Sequence, residues 1–527
     1  MAKFKVMVTD KLSDKGVKVF QADKDIQCDV LPTPSPEDLL KIIPQYHALV
    51  IRSATTVSAA VLDAATNLRV VGRAGVGLDN VDIPEATRHG VIVMNTPDGN
   101  TISAAEHTLS IMLALARKIP QAHQSLKEKK WDRNKFMGVE MYGKTLGVIG
   151  LGRIGWEVAK RARAFEMRIL AYDPYATPEK ALSVGAELTS IDEILKQADF
   201  ITVHVPKTKE TTNLINAESL KKCKKGVRLI NVARGGIYNE ADVAEALKTG
   251  QVGGAAIDVF SEEPPTGSPL LDAENVVLTP HLGASTEEAQ VNVAEVVAMQ
   301  IVDALHGRTI ANAVNIPAIS LEDWKVMEPY YHMARNLGRF AAQFFGGTIK
   351  GIEVTFGGEV AKKKPDALMR VLLKELLSPY FDKAVNEVNV QVLAAEKGIK
   401  ISESRVEAGD FTRSLGLKVI LESGTHSLEA AATGNSTLIT DLDGFRVSIP
   451  TEGALIIFFN KDLPGMIGKA AMALGEAGVN IASLTNGRKE KGGEAVTVVN
   501  VDSAVAPSVV EKLNAIPGVR NARVIQL

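Results

Sequence analysis

A chain of 527 residues is too long for one hydrophobic core, and at ~150 residues per domain it predicts three or four domains. Hydrophobic residues make up 46% and charged residues 23%, the balance of an ordinary globular protein. Sixty basic against sixty-two acidic residues, net −2, exclude an overall basic field for nucleic acid or a membrane surface. No apolar run reaches the ~18 residues of a membrane span, and the opening MAKFKVMVTD meets Asp10 before a signal-peptide core forms. The two cysteines, Cys28 and Cys223, make neither a disulfide framework nor a CxxC pair. These bounds predict a cytoplasmic, multidomain protein with no nucleic-acid or membrane partner and no metal.

Strand-length apolar runs alternate with helix-length segments from the start. Runs at 4–9, 26–31, 48–52, 68–72 and 91–94 predict βαβ units around a buried parallel sheet. Thr101–Arg117, TISAAEHTLSIMLALAR, is apolar at helical spacing and predicts a long linking helix. At Gly143 the alternation restarts more strongly, with strands predicted at 145–149, 168–173, 200–205, 228–232, 254–259 and 276–279. After Asn315 the character changes: residues 318–345 are helical and aromatic-rich, and shorter mixed segments run to about 450. The last stretch reads strand (454–460), helix (464–477), strands (480–485 and 494–501), helix (507–515) and strand (519–526), a ferredoxin-like βαββαβ order. The predicted class is α/β, two doubly wound parallel-sheet domains followed by an α+β domain and the ferredoxin-like tail.

The sharpest local signal is TLGVIGLGRIG. Gly150, Gly152 and Gly155 form G-x-G-x-x-G directly after an apolar strand and directly before the helical segment WEVAKRARAF. In that context the glycines serve a tight turn, close approach of backbone to a pyrophosphate, and close helix–sheet packing. The pyrophosphate would sit at the helix N-terminus near Arg153 and Ile154, where free N–H groups and the dipole favour an anion. Asp173 ends the next strand, eighteen residues after Gly155. A carboxylate there accepts hydrogen bonds from ribose hydroxyls and repels a 2′-phosphate, so NAD is favoured over NADP.

Three segments then lie at carboxyl ends of predicted strands, where open α/β sheets collect ligands: 231–236 (NVARGG), 258–264 (DVFSEEP) and 279–286 (TPHLGAST). Oxidising a 2-hydroxy acid needs a planar cation for the carboxylate, which Arg234 supplies. It also needs a base near neutral pH, which His281 supplies, with Glu263 to orient the ring and stabilise the imidazolium. Singly, each could be a surface charge or a packed side chain; their succession downstream of a dinucleotide loop is what points to chemistry. His204, ending its own strand near the same crevice, is the rival base.

GLGRIG, NVARGG, DVFSEEP and PHLGAST together resemble the D-isomer-specific 2-hydroxyacid dehydrogenases over roughly residues 1–315, supported by VIRSAT, VGRAGVGLDNVD and NTPDGNT. The whole chain resembles the long type of that family. The resemblance implies a substrate domain from 1–96 and 290–315, a Rossmann NAD-binding domain at 97–289, an intervening domain at 316–450 and a regulatory ACT domain at 451–527. It implies oxidation of D-3-phosphoglycerate to 3-phosphohydroxypyruvate with NAD, opening L-serine biosynthesis, in a cleft whose closure excludes water. It implies Arg234, Glu263 and His281 as the catalytic set. Substrate contacts would come from Arg52, Ser53, Gly75 and Asn100, and Arg133 would reach the neighbouring subunit's site. Val76, Val205, Val232, Ala233, Asp258, Gly283 and Ala284 would join the glycine loop, Arg234 and His281 around NAD, mostly through backbone. Val76 and Val205 stand where some relatives carry threonine, so a hydroxyl contact to the cofactor is lost there. A small dianion needs more than Arg234, and Arg52 on a strand end is the second cation, unless it is spent on a sheet-end carboxylate.

The tail resembles an ACT domain, a small-ligand sensor that pairs between subunits. Pro464 and Gly465 open its first helix, and Asn460, Asp462 and Asn480 would hold an amino-acid effector, L-serine by resemblance. A silent assembly domain accounts for the same residues. The resemblance implies a homodimer or homotetramer. Two other readings stay open: a dehydrogenase of an unphosphorylated acid such as glyoxylate or hydroxypyruvate, and a non-catalytic NAD-sensing binding protein. The two-domain tail argues against both.

Overall fold

The structure, a computed structural model, describes residues 2–527 apart from 309, 318, 320, 408–412, 434–435 and 504. The first sheet holds β1 (Phe4–Val8), β2 (Ile26–Val30), β3 (Ala48–Ile51), β4 (Val70–Arg73) and β5 (Ile92–Met94) in the order β2-β1-β3-β4-β5. All its pairings are parallel. Helices cover both faces, which is why β3 is apolar throughout (ALVI) and fully buried instead of alternating. One of these helices, Glu287–Leu305, returns from far along the chain. Val297, Ile301 and their neighbours share a core with Val6, Val50 and Val70.

That return depends on two glycines. A Cβ on Gly72 of β4 would fall 2.5 Å from Ile301 Cδ1, and one on Gly16 of the helix Asp14–Gln21 would fall 2.6 Å from the Ala294 carbonyl oxygen. The missing side chains let a helix lie directly on the sheet and on its neighbour helix.

The second sheet holds β6 (Thr145–Ile149), β7 (Arg168–Tyr172), β8 (Ala186–Leu188), β9 (Phe200–Val203), β10 (Val227–Asn231), β11 (Val252–Ile257) and β12 (Val276–Leu278). It is parallel throughout, in the order β12-β11-β10-β9-β6-β7-β8. The direction of winding reverses between β6 and β9, which opens a crevice at their carboxyl ends. The sequence pattern omits β8, a three-residue edge strand with two exposed positions and no periodicity to detect. The linking helix, Thr101–Ala116, packs its apolar side under this sheet, with Leu115 against Gly254 of β11.

Beyond the helix Leu321–Phe344 lies a mixed sheet of β13 (Ile349–Gly358), β14 (Lys400–Val406), β15 (Arg413–Leu421), β16 (Gly424–Thr433), β17 (Ser436–Leu442) and β18 (Phe445–Pro450). Its order is β14-β13-β15-β16-β17-β18, with only β13 and β14 parallel. The tail is antiparallel: β19 (Ala454–Lys461), β20 (Ile481–Arg488), β21 (Glu494–Val501) and β22 (Val519–Gln526), in the ferredoxin-like order β20-β21-β19-β22. β19 reads ALIIFFNK because both of its faces are covered. Ile456 and Phe458 pack under the tail's own helices, whereas Leu455 and Ile457 enter the core of the preceding sheet beside Phe344, Phe345 and Phe445. The two units are therefore fused by packing. Among the described residues no helix is long and apolar enough to cross a membrane.

Gly16→Ala forces a methyl group against the Ala294 backbone, and overpacking of this kind costs about 1–3 kcal/mol. The expected result, read by calorimetry, is a lower midpoint for the transition that unfolds the first sheet. An unchanged midpoint would show that the returning helix is not held by this contact.

Candidate active site

The glycine loop fits a dinucleotide on physical grounds. Gly150 has φ +97°, and a Cβ there would fall 2.5 Å from the His204 carbonyl oxygen. A Cβ on Gly155 would collide with the Gly150 carbonyl, so the helix Arg153–Arg163 can approach β6 only without one. At Gly152 the space a side chain would fill is open, which leaves the loop backbone and the helix N-terminus accessible to a phosphate. Asp173 sits across the loop, its Oδ2 accepting from Leu151 N and its Oδ1 from Tyr175 N, both at 2.8 Å. Each oxygen keeps a free lone pair for a ribose hydroxyl. Arg153 faces solvent and pairs with Asp98 at 2.5 Å; Ile154 and Val205 are half-buried beside the loop. Desolvation pushes the His204 imidazolium down to about 3, and its Nε2 lies 3.0 Å from Thr202 Oγ1. The ring is neutral and turned back onto Thr202 of β9, so His204 is a poor proton carrier.

Arg234, Glu263 and His281 stand on the loops after β10, β11 and β12, three adjacent strands. At about 4.8 Å between neighbours, the three strand ends span roughly 10 Å. The Arg234 and Glu263 loops are packed together, since a Cβ on Gly235 would run into the Phe260 carbonyl. His281 Nδ1 lies 2.8 Å from Glu263 Oε2, and Glu263 Oε1 accepts from Phe260 N at 3.1 Å. The carboxylate can only accept, so Nδ1 is assigned the proton and Nε2 is left free as the acceptor on an exposed ring. His281 has φ +56°, a left-handed conformation that costs a non-glycine residue roughly 1–2 kcal/mol.

Asp258 holds that turn. It is 0% exposed; Oδ1 accepts from Thr279 Oγ1 (2.6 Å) and Leu282 N (2.7 Å), and Oδ2 from Gly283 N (2.9 Å). Burial alone would raise its carboxyl pKa, but hydrogen bonds from His107, Thr279 and Leu282 outweigh it and keep it below the ordinary value. The resemblance gives Asp258 a cofactor contact; its side chain is here spent on the protein. Val232 and Gly283 are buried beside it, and Ala233 and Ala284 are half-buried.

Facing these loops is the carboxyl end of the first sheet. Arg52 follows β3, and Arg73 ends β4. Arg234 reaches across to it: its guanidinium lies against Gly77, and its Nε is 3.3 Å from Asp79 Oδ2. Arg73 lies within VGRAGVGLDNVD, where its sequence position alone points to no role. Burial, then the neighbouring Arg234 and Arg52, push it down to about 10 despite Asp79 and Asp10. Three units above neutrality, it stays charged. The Nε atoms of Arg52 and Arg73, Asn100 Oδ1 and Thr101 Oγ1 are all buried without a hydrogen-bond partner among the described residues. Gly75 lies against Arg73, Val76 holds Asn95 Nδ2 through its carbonyl, and Ser53 is exposed at the rim. Asp10, also without a predicted role, anchors the Arg52 loop through Arg52 N (2.9 Å), Thr55 N (2.8 Å) and Thr55 Oγ1 (2.6 Å). Arg133 is exposed on the segment after the helix Ile119–Lys127 and forms no ion pair among the described residues.

In the tail, the three predicted effector residues each have partners of their own. Asn460 is buried and its Oδ1 accepts from Thr497 Oγ1 at 2.8 Å. Asp462 pairs with Arg488 at 2.7 Å and accepts from Gly492 N, and Asn480 donates to Asp502 at 2.5 Å. Gly465 takes φ +84° and the first helix starts one residue later, at Met466.

Residues 109–283 match the NAD-binding domain of D-isomer-specific 2-hydroxyacid dehydrogenases, 326–438 the intervening domain of D-3-phosphoglycerate dehydrogenase, and 454–518 the ACT domain. The D-3-phosphoglycerate dehydrogenase of Archaeoglobus fulgidus is 43% identical over 528 residues, 99% of this chain and 100% of its own. That of Methanocaldococcus jannaschii is 44% identical over 524 residues, again 99% and 100%. The crystal structure of D-lactate dehydrogenase from Aquifex aeolicus, complexed with NAD and lactic acid, aligns to 59% of this chain and 100% of its own, with 27% identity and a TM-score of 0.54. The chain belongs to the D-isomer-specific 2-hydroxyacid dehydrogenase family, in its D-3-phosphoglycerate dehydrogenase branch. It is an NAD-dependent oxidoreductase.

Asp173→Ala removes a charged acceptor worth about 1.5–3 kcal/mol to a ribose. NAD affinity, measured by fluorescence titration, is expected to fall ~10- to 100-fold, while NADP, no longer repelled, falls less or improves. Equal losses for both cofactors would remove Asp173 from cofactor choice.

Proposed function

We propose that this chain oxidises D-3-phosphoglycerate at C2 to 3-phosphohydroxypyruvate, the first step of L-serine biosynthesis, in the cytosol. The observation that carries the substrate choice is the set of three guanidinium groups around one crevice, two of which, Arg52 and Arg73, keep a buried Nε donor unpartnered among the described residues. Arg234 holds the carboxylate in plane with its fork, and Arg52 and Arg73 hold the phosphate. Ser53, Gly75 and Asn100 line the same crevice. His281 Nε2 takes the C2 hydroxyl proton, and Glu263 stabilises the imidazolium that results. NAD, when bound across the glycine loop and Asp173, accepts the C2 hydride. The arrangement supports residues 1–96 with 290–315 as substrate domain, 97–289 as cofactor domain, 316–450 as intervening domain and 451–527 as regulatory domain.

The assembly is a homo-oligomer in this reading. Ile119, Leu126, Trp131, Met137 and Tyr142 are all exposed apolar side chains around Arg133, a face suited to a second copy that would carry Arg133 to the partner's crevice. The ACT domain binds a small-molecule effector, L-serine, at the loop from Asn460 to Gly465 with Asn480. For that, Asp462 must exchange Arg488 for the effector's ammonium.

Purified protein with NAD and D-3-phosphoglycerate is expected to generate reduced nicotinamide when the keto product is trapped, and D-glycerate is expected to react far more slowly. Equal rates would remove the phosphate argument, and NAD binding without turnover of any hydroxy acid would favour a sensor. His281→Ala is expected to lower kcat by ~10²–10⁴. Arg52→Ala should raise KM for the phosphorylated acid by ~10- to 100-fold, the value of one charged hydrogen-bond pair, with kcat less affected.

A further inference from the structure

The linking helix does more than join the two sheets. Ser103 and His107 stand four residues apart, on one face of Thr101–Ala116, and both point at the turn that carries His281. Ser103 Oγ donates to the Gly283 carbonyl at 2.9 Å. His107 Nε2 lies 3.1 Å from Asp258 Oδ1 and 3.2 Å from Thr279 Oγ1. Thr279 has one hydroxyl proton, and it is spent on Asp258 Oδ1 at 2.6 Å. The carboxylate can only accept. Nε2 must therefore carry a proton and share it between the two oxygens, which assigns the tautomer of His107 from its surroundings.

Asp258 needs this donor. Its carboxylate is completely buried, and a buried charge is tolerated only when its oxygens are hydrogen-bonded. Among the described residues the remaining donors to it are Thr279 Oγ1 and the N–H groups of Leu282 and Gly283, all on the turn itself; the Asp258 carbonyl in turn accepts from His281 N at 2.9 Å. His107 is thus the tie from outside the turn to the carboxylate that keeps His281 in its left-handed conformation.

We infer that His107 is a positioning residue for the dehydrogenation, fixing through Asp258 and Thr279 the turn that aims His281 at the substrate. The inference rests on His281 as the proton acceptor. His107 touches neither substrate nor cofactor and moves no proton in the reaction. Its loss leaves Asp258 short of one donor, loosens the strained turn and displaces the imidazole from the hydroxyl it must meet. A displacement of about 1 Å is enough to cost ~10²-fold in rate.

The test compares His107→Leu with His107→Gln in the full-length enzyme. Gln places an amide N–H near the position of the ring Nε2, whereas Leu offers no donor. His107→Leu is expected to lower kcat ~10- to 100-fold, with KM for D-3-phosphoglycerate and the NADH dissociation constant within threefold of the parent; His107→Gln is expected to recover most of the loss. If His107→Leu does not fold, Thr279→Val, which leaves the ring in place and removes the shared hydroxyl, is expected to show the same kcat-selective loss. Parental kcat in the folded variants, or a Gln variant no better than Leu, overturns the inference. Turnover by the parent and its loss in His281→Ala are measured alongside, so failure of the underlying reaction reads out separately.

Discussion

Bringing three guanidinium groups into one half-buried crevice is unfavourable unless something negative offsets them. Arg52 and Arg73 come from the ends of adjacent strands of the first sheet, and Arg234 comes from the second sheet and lies against Gly77. Burial, then the neighbouring Arg234 and Arg52, lower the preference of Arg73 for carrying charge, yet at about 10 it remains protonated at any physiological pH. Asp10 and Asp79 supply partial compensation, but Asp10 is committed to backbone and threonine donors and Asp79 is mostly exposed. In the proposed reading, a small acid with a carboxylate at one end and a phosphate at the other completes the balance. That electrostatic demand ties substrate choice, the two-sheet architecture and the glycine-dependent return of helix Glu287–Leu305 into one account.

The two bodies use the same device to shape their sides of the crevice. An aspartate just past a strand end, Asp10 after β1 and Asp258 after β11, turns its carboxylate inward onto the backbone N–H groups and a threonine of a neighbouring loop. In both, burial works against the charge and hydrogen bonds outweigh it. The loops that carry Arg52 and His281 are therefore set by buried polar networks, which specify one geometry more sharply than apolar packing does. The His281 and Glu263 side chains, by contrast, are exposed and have few contacts of their own. His281 is held by Glu263 and by the turn that Asp258 fixes.

Much of this was legible in the chain. Parallel strands buried on both faces read as unbroken apolar runs, so β1 to β7 and β9 to β12 fall within a residue or two of expectation. β8 has neither length nor pattern and escaped. The roles proposed for Gly150, Gly152 and Gly155 come from their spacing between an apolar strand and a helical segment, and those proposed for Arg234, Glu263 and His281 from their place after strands. Arg73 and Asp10 escaped for a different reason: what singles them out is a partner, or the lack of one, brought close only by the fold. His107 sat in plain view within AEHTL, where helical periodicity made it one more packed position. The unbroken ALIIFF of β19 reflects cover on both faces, since the tail shares a core with the preceding sheet.

The central claim is that the crevice selects its substrate by a second anionic group. The most direct measurement is the ratio of kcat/KM for D-3-phosphoglycerate to that for D-glycerate in the parent and in Arg73→Leu. The account predicts that the ratio collapses at least tenfold, through the phosphorylated acid, while D-glycerate is turned over within threefold of the parent value. Equal losses for both acids, or an unchanged ratio, would contradict it.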